Sequence, residues 1–280
     1  MKSAVLLSIF ISVTSYASSQ VESQIHDIDY GKPGEETLVF LKSGQVVRLK
    51  SSETKTIQDL EQAKRTQKWL EFEINDHREI ENYEALPFSS SKTKNFFPLH
   101  LLDEDFVPTV VENSELLKTY FHEAKYVNKE SQCYNRAHIW SYEWFTKNAI
   151  NSNKTWLFFT RKYIRKFKFE WWFHVSPSIR VMEDGVLKEK VMDVKYTRGP
   201  VDLKNWTDIF MRDDANCSMV KTYSDYANYP ESGSCFTMRS SMYHYQPVDI
   251  ESKETWGTTK ASWYDTEIKQ AYLEAFDEAR

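Results

Sequence analysis

The chain has 280 residues, 41% hydrophobic and 15% aromatic, with only 7 Gly and 8 Pro. That is enough apolar content for a sizeable core in one or two domains, and it excludes a low-complexity or linker-like polymer. The formal charge of −5, with no broad basic excess, argues against a nucleic-acid binder.

Met1 to Gln20 reads MKSAVLLSIFISVTSYASSQ, one lysine and an apolar run followed by small polar residues. It reads as a signal peptide over 1–17, and Ser15 and Ala17 suit cleavage after Ala17. The run is too short for a stable membrane span. A secreted or periplasmic protein without membrane insertion is expected.

TLVFLKSGQVVRLK alternates apolar residues on both sides of Ser43-Gly44, a hairpin signal. TIQDLEQAKRTQ predicts a short helix and KWLEFEIND another strand. Together they form a ββαβ unit over roughly Glu36 to Glu81. The polar FSSSKTKN predicts a linker, so 18–95 is taken as an N-terminal pro-region or accessory unit and 96–280 as the main domain. NSELLKTYFHEAKY predicts the first helix of that domain.

Cys133 stands where a polar loop, NKESQ, gives way to YNRAHIWSYEWFTKNAI. That run has Ala137, Trp140, Trp144 and Ala149 near helical spacing and no Gly or Pro. A thiol in the first turn of a helix faces unpaired N–H groups and the positive end of the dipole, which favour a thiolate. RKYIRKFKF, with charges alternating with aromatics, predicts the solvated face of a strand. FEWWFHVSPSIRV predicts a central strand carrying His174, and VLKEKVMDVKY follows it after the turn EDG. The hairpin brings Asp193 close to opposite His174. A carboxylate among Val191, Met192 and Val194 is costly to bury unless paired, and an imidazole is its natural partner.

Three cysteines in an oxidising compartment leave one unpaired. Cys217 and Cys235 lie in a polar, turn-rich stretch suited to a local disulfide, so Cys133 is the free thiol. At the C-terminal end, DTEIKQAYLEAFDEA places Ile268, Ala271, Tyr272, Ala275 and Phe276 on one face, an amphipathic helix docked on the core.

Helix-start Cys, strand His and next-strand Asp is the arrangement of papain-like and transglutaminase-like hydrolases. More specifically, CYNRAH at 133–138, WWFHVS at 171–176 and VMDVKYTRGPVDLKNW at 191–206 resemble the signature blocks of bacterial secreted protein glutaminases. The resemblance covers about residues 103 to 250, and its first block is the most specific. It implies an α+β, papain/transglutaminase-like fold and a catalytic triad of Cys133, His174 and Asp193. It also implies hydrolysis of the side-chain amides of protein-bound glutamine. Neither cofactor nor metal is implied, and the expected partners are protein substrates of a monomeric enzyme. Within the first block, Arg136 and His138 read as structural residues on the helix. The chain has fewer cysteines than the family, so the family's disulfide pattern does not transfer. The alternatives are a transglutaminase or cysteine peptidase on the same fold, and a non-enzymatic exported binding protein in which Cys133 is merely buried.

Overall fold

The computed structural model describes residues 19–50, 53–86, 106–124, 131–229, 231–256 and 262–276. The proposed signal peptide and the FSSSKTKN linker lie outside these residues. The described residues divide into two compact units, one within 19–39 and 47–86, the other within 40–46 and 106–276.

The first unit is built from six strands, β1 (Ser19–Ser23), β2 (Ile25–Asp29), β3 (Thr37–Leu41), β4 (Val46–Leu49), β5 (Leu70–Ile74) and β6 (Ile80–Ala85), with one helix, α1 (Thr54–Arg65). They form two three-stranded sheets, β1-β5-β6 and β2-β3-β4. Strands β1, β2 and β6 add to the ββαβ elements read from the sequence. Their polar, short runs (SQVES, IHDID, IENYEA) carry too little alternation to stand out alone.

In the second unit, β7 (Val110–Val111) precedes α2 (Ser114–Glu123), whose first turn is capped by the Asn113 side chain accepting from Leu116 N. The long helix α3 (Cys133–Asn148) follows, buried over most of its length from Cys133 to Trp144. Ala149, expected within the helix, is instead its left-handed C-cap, with φ of 55°. Next come β8 (Asn153–Phe159), α4 (Arg161–Phe167), β9 (Phe173–Glu183), β10 (Val186–Val191) and α5 (Leu203–Phe210). The chain continues through β11 (Ser218–Met219), α6 (Tyr223–Ala227), β12 (Cys235–Ser241), α7 (Pro247–Trp256) and α8 (Asp265–Phe276).

A sheet in the order β10-β9-β8-β12-β11, with β7 joining β9, forms the frame. Helix α3 packs across it. Trp140 and Trp144 of α3 meet Ile179, Val181 and Met192, with Leu117 and Phe121 of α2 completing the cluster. Truncating either tryptophan to Ala would remove on the order of 3–5 kcal/mol of packing. Helix α8 docks through Ile268, Ala271 and Ala275, and its Glu274 and Tyr272 bond Asn135 and Glu143 of α3.

The RKYIRKFKF stretch is a correction. It forms helix α4, not a strand, because Arg161, Lys162, Arg165 and Lys166 recur at helical spacing. Tyr163 and Ile164 turn inward, and the Thr160 side chain caps Tyr163 N.

The Cys217–Cys235 disulfide closes a separation of 18 residues and ties the β11 region to the start of β12. In the chain-entropy account such a loop contributes roughly 3 kcal/mol. Cys133 is the free cysteine, and it is buried.

Candidate active site

Helix α3 begins at Cys133 itself, so the thiol sits on the first turn. Gln132 is the N-cap, and its carbonyl accepts the first intrahelical bond from Arg136 N. The backbone N–H groups at and just after Cys133 therefore have no helical partner, the usual condition of a first turn.

His174 lies one residue inside β9, fully buried, where the sheet has Leu157 of β8 beside it. On the other side the ladder with β10 ends at the pair Val191↔Ser178. Beyond that point the chain peels away. Val191 and Val201 bond each other in both directions, closing a loop over 192–200. Inside it, Tyr196 N and Thr197 N both donate to the Asp193 carbonyl.

That turn aims the Asp193 carboxylate back at the imidazole. Asp193 Oδ2 lies 2.7 Å from His174 Nε2, and both side chains are almost completely buried. With Nε2 so engaged, Nδ1 is the nitrogen left for Cys133. Nδ1 makes no hydrogen bond of strict geometry among the described residues. Cys133 is near enough to contribute to raising the His174 pKa.

The electrostatics favour the charged pair. Burial alone would push the His174 pKa down, but the Asp193 charge and hydrogen bond, helped by Cys133, leave it raised. Burial alone would push Asp193 up. The imidazole, the Trp206 indole and the Arg136 charge together hold it below its usual value. The two directions agree on an ionised carboxylate facing an imidazole that holds its proton.

Aromatic rings enclose His174. Trp171 stacks on it at 5.9 Å and 17°, Phe210 lies 4.4 Å away, and Tyr196 meets it edge-on at 5.2 Å. Trp206 is 5.6 Å away and donates its indole N–H to Asp193 Oδ2 at 2.8 Å. Sequence reading missed this enclosure. Tyr196 and Trp206 were inside the quoted third block, but nothing local says which side chains close on the histidine.

Arg136 and His138, both in the first half of α3, make different contacts. Arg136, buried, donates to the Ser131 carbonyl two residues before the thiol, and its guanidinium lies 5.9 Å from the Tyr196 ring centre. His138 accepts from Lys154 Nζ at 2.7 Å and faces Glu267 of α8 at 3.9 Å.

The segment 40–46, which groups with this unit, runs beside the same strand. Val46 N donates to the Glu170 carbonyl and Trp172 N to the Gly44 carbonyl. Gly44 has φ of +91°, and a Cβ there would come within 3.0 Å of the Phe173 ring. Only glycine meets both conditions.

Residues 112–210 match the family model described as glutaminase. That region contains Cys133, His174 and Asp193. Among solved structures, the chain is similar to pro-protein-glutaminase, with a TM-score of 0.53 at 13% identity over 92% of this chain and 94% of that one. A mutant of pro-protein-glutaminase aligns with a TM-score of 0.52 at 16% identity, over 82% of this chain and 85% of the other. The likeness establishes a shared mixed α and β fold. No curated protein matches the chain in sequence. Among the described residues, no helix is long and apolar enough to cross a membrane, and no His/Cys/Asp/Glu cluster is arranged to hold a metal ion.

Proposed function

We propose that this chain is a protein-glutamine glutaminase, deamidating side chains of protein-bound glutamine to glutamate through a thioester on Cys133. The observation that carries the reading is the buried Asp193–His174 pair at 2.7 Å, with the remaining imidazole nitrogen available to the thiol at the head of α3. The match of 112–210 to the glutaminase model supports it.

In this mechanism the Cys133 thiolate attacks the carboxamide carbon, forming the C–S bond. Unpaired backbone N–H groups of the first turn of α3 hold the oxyanion. His174, protonated, gives its Nδ1 proton to the departing nitrogen as the C–N bond breaks and ammonia leaves. The imidazole then takes a proton from water, which attacks the thioester and releases glutamate and the thiolate. Asp193 keeps Nε2 protonated and oriented throughout. The fold reading is a papain/transglutaminase-like arrangement.

Incubation with casein, with and without an added primary amine, tests the reaction type. Ammonia release with a mass increase of glutamine to glutamate supports the proposal. Efficient amine incorporation would make the chain a transglutaminase, and backbone cleavage as the main product a peptidase.

We further propose that residues 18–95 act as a pro-region and that export removes residues 1–17. Support comes from the backbone pairing of segment 40–46 along residues 170–172, just before His174, and from the similarity of most of the chain to pro-protein-glutaminase. A Cys217–Cys235 disulfide fits an oxidising compartment.

A further inference from the structure

Asp193 Oδ2 accepts two hydrogen bonds, one from His174 Nε2 at 2.7 Å and one from Trp206 Nε1 at 2.8 Å. Of the two donors, the histidine changes its proton count during catalysis. The indole does not, because it is a donor only. Trp206 is fully buried on α5, and its backbone N bonds the Asp202 carbonyl. Helix α5, with Asp202 as its N-cap, starts directly after the Val191–Val201 pair. The loop that carries Asp193 and the helix that carries Trp206 are thus anchored at one point.

We propose that Trp206 is a positioning residue for the reaction: its indole N–H pins the Asp193 oxygen that orients His174, while its ring closes one side of the imidazole. This rests on the Cys133–His174–Asp193 reading above. A tryptophan that only filled the core would bury its ring and satisfy its N–H on any acceptor. This one spends its single donor on the oxygen that holds the imidazole.

The charged and titratable groups around the pair are few. Asp193 faces His174 from β9, Trp206 from α5, Arg136 from α3 and Tyr196 from its own turn. His174 faces Asp193 and, from α3, Cys133, inside the rings of Trp171, Tyr196, Trp206 and Phe210. Burial raises the Tyr196 pKa. Removing the indole N–H therefore leaves the carboxylate more basic, and it takes up a proton at higher pH. A protonated Asp193 no longer supports the imidazolium.

The test is the pH profile of deamidation by Trp206→Phe, with β-(3-benzothienyl)alanine inserted at 206 as a second variant that keeps the indole shape and lacks only the N–H. The expected result in both is a kcat lower by about tenfold, with KM nearly unchanged. The acid limb of kcat/KM should move upward by about one pH unit, the scale of one charge-assisted hydrogen bond. If Trp206→Phe fails to fold, the shape-preserving variant decides. Wild-type kcat and an unmoved acid limb in that variant overturn the inference. Asp193→Asn is measured alongside: its inactivity with an unchanged profile at 206 overturns the role of Trp206 alone. Full activity of Asp193→Asn overturns the triad reading and this inference with it.

Discussion

Asp193 reaches His174 from outside the strand ladder. Strand β10 ends at Val191, paired with Ser178, and continuing the register would set Asp193 opposite Ser176. The carboxylate instead meets Nε2 at 2.7 Å because the chain turns on the Asp193 carbonyl. The contact depends on that loop, so changes that open it should act like changes to the triad.

Cys133→Ala and His174→Ala should each lower ammonia release from casein by at least about a thousandfold, with circular dichroism and Tm close to wild type. Asp193→Asn should keep the fold and lose roughly a hundredfold or more, since orientation fails while nucleophile and base remain. Substantial turnover by Cys133→Ala would remove the thioester mechanism.

Iodoacetamide should label Cys133 alone in the native, unreduced protein, as read by peptide mass spectrometry. Cys217 and Cys235 are joined in the structure and should stay unlabelled until reduction. Replacing both by Ser should lower stability by roughly 3 kcal/mol in a urea titration. A labelled Cys217 in the unreduced protein would contradict the pairing.

Glu183 at the end of β9 accepts from Ser114 and pairs with Lys188 and Lys190, each at 3.1 Å. These bonds, led by that from Ser114, hold its pKa down at about 2, against an ordinary 4.5. A carboxylate depressed in the folded state stabilises above its unfolded pKa, and that contribution is lost as pH falls from 4.5 towards 2. Glu183→Gln should therefore cost stability at pH 7, by about 1 kcal/mol or less for a partly exposed cluster. The difference from wild type should shrink by pH 2–3. A penalty that is constant across this range would mean the charge is not what matters there.

Limited trypsin digestion addresses residues 18–95. Cleavage near Lys92 or Lys94, which lie outside the described residues, should raise deamidation severalfold if this part of the chain restrains the site. Equal activity of intact and trimmed protein would make it an accessory unit.

Local patterns were enough to locate the helix that begins at Cys133, the hairpin turning at Ser43-Gly44 and the β9–β10 hairpin turning at Asp184-Gly185. Each depends on residues within one or two turns of chain: helical spacing, alternation, or positive φ at a short turn. The α4 stretch misled because Lys166 to Phe169 alternate like a strand, whereas the spacing of the four basic residues over 161–166 is helical. The surroundings of His174 were of another kind. Trp171, Tyr196, Trp206 and Phe210 come from a strand edge, a loop and a helix, and the loop is closed by the Val191–Val201 pair. No periodicity records which distant side chains will close on one imidazole. That is decided by how the sheet, the loop and α5 pack, and by the need of a buried carboxylate for donors that only packing can bring.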